Sequence, residues 1–214
     1  MAKGGRGGKR TGVAEHPLSK DQLDALDYYT QDGYYINNML RNGYDLDDSE
    51  KEFIRLLDEA TNSTVKQDVL YRIVDASTIF GDGVDDFEYD NLKSHIVFGD
   101  DAYDRGAYSQ GIKARMEKLV QSAIGKTHTD KGYMSTTFDE ETASHKQSSE
   151  THGRNRVVMR ITNAKGAKGR DISKQFNREW DAENEVLLAR NNSYQVKRIY
   201  NKDYMIYVDV ELKK

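Results

Sequence analysis

The sequence predicts an α+β fold, because segments with helical periodicity come first and short β-type segments fill the last third of the chain. Turns rich in Gly, Asn and Asp separate the β-type segments, and no helical segment recurs between successive strands as it would in a βαβ arrangement. A chain of 214 residues can bury a proper core. We therefore predict a flexible basic tail over residues 1–17 and a single domain over residues 18–214.

Helical segments are predicted at the start of the domain. Apolar residues at helical spacing run from Leu18 to Leu40, with a break near Asp32-Gly33. Ser19 and Gln22 have the spacing of a capping box, which predicts the start of the first helix. A further helix is predicted from about Ser49 to Ala60.

The pattern changes after these helices. Val69 to Val74 forms a short β-type run, whereas residues 81–111 are mostly polar and give no clear prediction. Ile112 to Ile124 is predicted as an amphipathic helix or a helix followed by a loop. Gly166 and Gly169 are predicted to lie in a turn. Further strands are predicted over residues 132–138, 155–162, 185–189, 194–200 and 204–212.

The composition argues against several classes of protein. Cysteine is absent, which excludes disulfides, thiolate nucleophiles and Cys-ligated zinc. The five histidines show no metal-ligand spacing, so we expect no metal. The net charge of −4 argues against nucleic acid as a partner, apart from a weak contact by the basic tail. There is no apolar run near the roughly 20 residues that cross a bilayer, and no secretory signal is recognised, so we expect no membrane partner.

Three features of the β-type segments could carry chemistry. Arg72 lies within an apolar run, where a guanidinium needs either an internal carboxylate or a bound phosphate or carboxylate. Ser135–Thr137 is a ladder of hydroxyls that is either structural or orients a nearby carboxylate. Glu183 and Glu185 would point to the same side of a strand, because side chains alternate along it. Two such carboxylates favour a cation between them, although acidic residues are also common on surface strands.

In combination, these features resemble the Arg-Ser-Glu group of mono-ADP-ribosyltransferases, which includes clostridial binary-toxin enzyme components and related exoenzymes. The match covers about Leu18 to Val210, in the family's order. It implies one ADP-ribosyltransferase catalytic domain, with N-terminal helices packed on a two-sheet, mostly antiparallel β-core. The segments that resemble family signatures are Tyr-Thr…Ile-Asn…Leu-Arg at 29–41, Lys-Gly-Tyr-Met-Ser-Thr-Thr at 131–137, residues 157–169, and Glu-Val-Leu-Leu-x-Arg within 183–194.

The resemblance also implies roles for four residues. Arg72 would hold an NAD phosphate and the adjacent ribose. Ser135 would orient Glu185, which would hydrogen-bond the nicotinamide ribose 2′-OH and stabilise the oxocarbenium-like transition state as nicotinamide leaves. Glu183 would engage the incoming nucleophile. In this family Glu at that position accompanies arginine acceptors, since a carboxylate can bind a guanidinium in a fork and take up its proton, whereas Gln accompanies asparagine acceptors.

The same mapping gives further candidates. Phe176 and Trp180 lie in what would be the substrate-recognition loop, and Trp180 is equally consistent with a core anchor. The choice between Arg154 and Arg156 as a phosphate contact is ambiguous by one alignment step. Candidate NAD contacts are Tyr29, Tyr34, Asn37, Ser135, Thr137, Glu185, and Arg154 or Arg156.

The function that the resemblance implies is transfer of ADP-ribose from NAD, used as a substrate, to an arginine side chain of a target protein. The alternatives are NAD hydrolysis, in which water replaces the acceptor, and a non-catalytic interaction module on the same fold. We expect a monomer whose partner is a protein with an accessible arginine. It would act in the cytoplasm of a host or target cell, as a toxin component, an injected effector or a phage protein.

Overall fold

The structure is a computed structural model and describes residues 17–103, 110–145, 155–173, 175 and 184–214. Residues 1–16 of the predicted tail lie outside these residues. A short 3₁₀ helix covers Gly99–Ala102. The α-helices of the described chain are α1 (Lys20–Asn42), α2 (Asp48–Ala60), α3 (Ser77–Phe80), α4 (Asp86–Phe98), α5 (Gln110–Ala123) and α6 (Glu140–His145). Its strands are β1 (Leu70–Asp75), β2 (Thr127–Asp130), β3 (Met134–Thr137), β4 (Arg156–Thr162), β5 (Gly169–Asp171), β6 (Glu185–Leu188), β7 (Asn192–Lys202) and β8 (Met205–Leu212).

The described strands form one hydrogen-bonded sheet in the order β2-β7-β8-β4-β1-β3-β6-β5. Only β4 and β8 pair in parallel within it. The α+β class, the N-terminal helices and the mostly antiparallel strands are therefore confirmed. We predicted two sheets, whereas the structure has one sheet made of two groups of strands, β2-β7-β8-β4-β1 and β3-β6-β5. The two groups are joined where β1 and β3 pair at a single position, Tyr71 opposite Thr137.

Helix α1 begins and ends at residues with recognisable capping chemistry. The Ser19 side chain accepts from the backbone N–H of Gln22, and the Gln22 side chain accepts from the backbone N–H of Ser19. Gly43 ends the helix with a φ of 68°, a left-handed conformation that glycine adopts without strain. The predicted break is a kink at Asp32, whose φ of −141° and ψ of 38° are not helical.

The sheet packs against helices on both faces, and β6 shows how its residues divide. Leu187 belongs to a buried cluster with Leu26 of α1 and Leu57 of α2. Val186 and Leu188 belong instead to the larger cluster that includes residues of α4 and α5. This division follows from the alternation of side chains along a strand. It places α1 and α2 on the same face of β6 as Leu187.

Several elements differ from the predictions. The polar stretch 81–111 contains α4, whose first turn is capped by Asp85 through the backbone N–H of Glu88. Strand β2 is short and polar, so no alternation of apolar residues predicts it from the sequence. Gly169 lies in β5 rather than in a turn, and a Cβ there would come within 2.7 Å of the Leu187 carbonyl oxygen. Among the described helices, none has both the length and the apolar character needed to span a membrane.

Candidate active site

Arg72 lies in β1 and is only 7% exposed. It shares the carboxylate of Asp130 with Arg41 of α1. Asp130 accepts hydrogen bonds from Arg41 Nε at 2.9 Å, from Arg41 Nη2 at 3.0 Å and from Arg72 Nη1 at 3.4 Å. The backbone N–H of Gly132 donates to the same carboxylate at 2.9 Å. The internal ion pair, one of the two interpretations of Arg72, is therefore present.

In this cluster the guanidinium groups of Arg41 and Arg72 share the carboxylate of Asp130. Burial lowers the pKa of Arg72, Asp130 opposes this effect, and Arg41 adds to it. Burial alone would also lower the pKa of Arg41, but its hydrogen bonds with Asp130 and the charge of Asp130, together with smaller contributions from Tyr29 and Tyr194, outweigh burial and raise it. An anion that approached Arg72 would stabilise its charged form.

A cleft of about 320 Å³ opens beside this cluster. It lies where β1 and β3 separate after their single paired position. The cluster contributes cationic groups to a wall that is otherwise partly apolar, which suits a ligand with both phosphate and ring components. Lining residues from the surrounding strands include Val74, Asp75, Met134, Met159 and Tyr194.

Ser135 and Glu185 form the second part of the site. In the antiparallel pair of β3 and β6, Ser135 lies opposite Leu187 and Thr137 lies opposite Glu185. These side chains share one face, so Ser135 reaches Glu185 diagonally. Ser135 Oγ donates to Glu185 Oε1 at 2.5 Å, a distance typical of a hydroxyl bonded to a carboxylate. The resemblance implies this contact.

Tyr29 on α1 lies close to both parts of the site. It is buried, with 4% of its surface exposed. Burial raises the pKa of its hydroxyl; Arg72 lowers the pKa, and Glu185 raises it. Both charges therefore act on one buried hydroxyl. The structure thus joins Ser135 to Glu185 by a hydrogen bond, and it places Tyr29 within the electrostatic reach of both Arg72 and Glu185. Arg72 lines the cleft, whereas Ser135 and Glu185 are not among its lining residues.

Asn37, another predicted NAD contact, is fully buried. Its Nδ2 donates to the Tyr29 hydroxyl at 2.8 Å, and its Oδ1 accepts from the backbone N–H of Tyr133 at 2.8 Å. The Tyr29 hydroxyl in turn donates to the Tyr133 carbonyl oxygen at 3.4 Å. In this arrangement Asn37 fixes Tyr29 next to the strand that carries Ser135. A direct contact of Asn37 with the dinucleotide stays a prediction.

The other described candidates have different surroundings. Tyr34 lies on α1 beyond the kink and is 45% exposed. Thr137 is buried, and its hydroxyl accepts from the backbone N–H of Asp139 at 3.0 Å. Arg156 begins β4 opposite Asp75, which lines the cleft. Of these three, Arg156 is thus the one whose strand partner borders the cleft.

Four predicted site residues, Glu183, Arg154, Phe176 and Trp180, lie outside the described residues. For Glu183 the physical premise of the prediction needs correction. The paired-acid argument assumed strand alternation through Glu185, yet β6 begins at Glu185 and Asn184 has a φ of 50°. Since this left-handed conformation interrupts the alternation, the strand alone does not fix where Glu183 points.

Sequence reasoning missed Arg41 and Asp130. Each borders a recognised segment: Arg41 ends the 29–41 signature, and Asp130 directly precedes the 131–137 signature. The two residues are 89 positions apart, so no local pattern pairs them. The adjacency of charged residues to both signatures was the available signal.

Comparison with known proteins identifies the family and the fold of the chain. The chain matches a family model described as ADP-ribosyltransferase exoenzyme over residues 7–212. No curated protein gives a significant match. The fold is similar to that of the C3 exoenzyme of Clostridium limosum, with a TM-score of 0.65 and 20% identity over 92% of this chain and 87% of that chain.

Two further structures share the fold. C3stau2 of S. aureus, solved with NAD, has a TM-score of 0.63 and 20% identity over 92% of this chain and 88% of that chain. The C2-I enzymatic component of the Clostridium botulinum C2 toxin has a TM-score of 0.64 and 23% identity over 92% of this chain and 44% of that chain. Because the family match spans nearly the whole sequence, the chain belongs to the ADP-ribosyltransferase exoenzyme family, a class of transferases that use NAD.

Proposed function

We propose that the chain moves ADP-ribose from NAD to an arginine side chain of a target protein and releases nicotinamide. The observation that carries the proposal is the hydrogen bond from Ser135 Oγ to Glu185 Oε1, and the buried Arg72 supplies a cation to the wall of the cleft. An oriented carboxylate near a cationic cleft suits NAD, whose pyrophosphate is anionic and whose nicotinamide ring is cationic.

In the proposed reaction the bond between ribose C1′ and the nicotinamide nitrogen breaks. Nicotinamide leaves with the bonding electrons and becomes neutral, so positive charge moves onto the ribose. Glu185 accepts from the ribose 2′-OH and stabilises this charge, while Ser135 fixes the carboxylate orientation. Arg72 pairs with a phosphate of NAD and holds the adjacent ribose in place.

Glu183 supports arginine as the acceptor. A guanidinium nitrogen forms the new C–N bond to ribose C1′ and releases one proton, so that ADP-ribose replaces one hydrogen of the guanidinium group. A carboxylate binds a guanidinium in a fork and takes up that proton, which the neutral amide of Gln does less well. This step rests on the resemblance at Glu183, whose side chain lies outside the described residues.

Two isosteric substitutions test the proposal and serve as controls for each other. Glu185→Gln should lower both NAD cleavage and ADP-ribose transfer by about 10² to 10³-fold, because it removes the charge that stabilises the transition state. Glu183→Gln should remove transfer to a small guanidine compound yet keep NAD cleavage within about tenfold of the wild type. Both variants should unfold at the wild-type temperature.

The outcomes separate the alternatives. Equal loss of both activities in Glu183→Gln would contradict the acceptor function given to Glu183. Cleavage of NAD without transfer to any guanidine or lysate protein would favour NAD hydrolysis. No NAD cleavage by the wild type would favour a non-catalytic module. Labelled NAD added to bacterial and eukaryotic lysates, followed by mass spectrometry of the modified sites, would identify a target and the kind of host cell.

A further inference from the structure

We infer that Asp130 is a positioning residue for the dinucleotide, acting through the guanidinium groups of Arg72 and Arg41. The inference rests on the proposed function, since it takes NAD as the ligand of the cleft. Asp130 lines the cleft between the two arginines. Asp130 lies in β2, and its carboxylate bonds to Arg41 of α1 and to Arg72 of β1.

The carboxylate is itself firmly placed. Its side chain is only 13% exposed, and Oδ1 accepts both Arg41 Nε and the backbone N–H of Gly132. The backbone of Asp130 pairs with Asn192 in the ladder of β2 and β7. Asp130 is therefore a fixed acceptor, which can set the orientation of the guanidinium groups that bond to it.

The contact geometry shows which orientation it sets. Arg41 presents Nε and Nη2 to Asp130, so one edge of its planar fork is committed to the carboxylate. Arg72 donates to Asp130 through Nη1, at the longer distance of 3.4 Å. Both guanidinium groups line the same cleft. Asp130 thus holds two like charges side by side, where a pyrophosphate can bridge them.

Removal of the Asp130 charge would leave Arg41 and Arg72 to repel each other at low dielectric. Arg41 already lowers the pKa of Arg72 in the presence of Asp130. Without the shared anion, we expect the guanidinium groups to separate. The affinity for NAD would then fall, because binding would require free energy to bring the two guanidinium groups together again.

Asp209 offers a matched control. It is buried to the same degree, 14% exposed against 13% for Asp130, and it also pairs with two arginines, Arg160 and Arg198. Arg160 and Arg198 are not among the lining residues of the cleft. If the loss of any largely buried carboxylate from the sheet weakened NAD binding, Asp209→Asn would therefore weaken it to the same degree.

The experiment measures NAD affinity by calorimetry and KM and kcat for NAD cleavage in the wild type, Asp130→Asn and Asp209→Asn. We expect Asp130→Asn to raise Kd and KM about tenfold, the effect of one lost hydrogen bond to a charged group, with kcat changed less than about threefold. Asp209→Asn should leave all three values unchanged. Asp130→Glu, which keeps the charge but moves it by one methylene, should still fold and should also raise KM.

Chemical rescue adds a measurement, the KM with added formate, that would not change if Asp130 had only a structural function. In Asp130→Ala, formate should lower KM towards the wild-type value, whereas chloride at the same ionic strength should not. Unchanged Kd and KM in folded Asp130→Asn or Asp130→Glu would overturn the inference, and so would an equal rise in Asp209→Asn. If wild-type protein neither bound nor cleaved NAD, the proposed function would fail instead.

Discussion

Asn37→Ala tests whether the buried amide acts mainly as a structural bridge. The substitution removes at least two hydrogen bonds, one to the Tyr29 hydroxyl and one from the backbone N–H of Tyr133. A buried group left without its partner costs about 1–3 kcal/mol, so two such losses predict about 2–6 kcal/mol. The Tyr29 hydroxyl can still donate to the Tyr133 carbonyl oxygen. We therefore expect the lower half of that range, about 2–4 kcal/mol.

Urea denaturation at neutral pH provides the measurement. For an m-value of about 2 kcal/mol/M, the unfolding midpoint should fall by about 1–2 M. Asn38→Ala is the matched control, because Asn38 lies one position further along α1 and bonds to the exposed side chain of Asn42. It should change stability by less than about 0.5 kcal/mol. A loss below about 1 kcal/mol in Asn37→Ala, at unchanged m, would refute the bridging function.

Two further outcomes are expected. Ser135→Ala should lower kcat for NAD cleavage by about 10- to 100-fold with a smaller change in KM, because Glu185 loses the donor that orients it; an unchanged kcat would contradict this. Burial lowers the pKa of His128, and Lys126 adds to the effect. The unfolded chain therefore binds the proton first, and stability is lost as the pH falls from about 6.5 through the lower folded pKa. His128→Phe, which keeps a ring against Tyr194, should flatten this part of a plot of urea midpoint against pH, and an unaltered slope would count against the assignment.

The contact between Ser135 and Glu185 was predicted through the family resemblance, and strand alternation supplied only part of that prediction. Both lie in short strands whose β character is local, and alternation places Ser135 and Thr137 on one face. Thr136 is correctly predicted on the other face, where its hydroxyl donates to the Val186 carbonyl oxygen at 2.5 Å. Which strands pair, however, came from the family resemblance, since alternation does not specify a neighbour.

The cationic cluster could not be predicted in the same way. Asp130 lies on a polar edge strand that lacks an apolar pattern, and its position depends on pairing with β7. Arg41 reaches it from a helix 89 residues earlier in the chain. Such an ion pair is a consequence of tertiary packing, and charge alone offers many equivalent partners in a chain with 32 basic and 36 acidic residues. Adjacency to family signatures was the only local indication.

The interruption of the sheet between β1 and β3 bears on how charges from both parts of the site act on Tyr29. Tyr71 lies opposite Thr137, so a regular ladder would place Arg72 opposite Thr136, on the face away from Ser135 and Glu185. The sheet itself would then separate the guanidinium from the carboxylate. Because the described strands pair at one position and then diverge, a cleft opens beside Arg72, and Tyr29 comes under the influence of both charges. Further pairing of β1 with β3 would strengthen the sheet, but it would close the space in which a dinucleotide could bind.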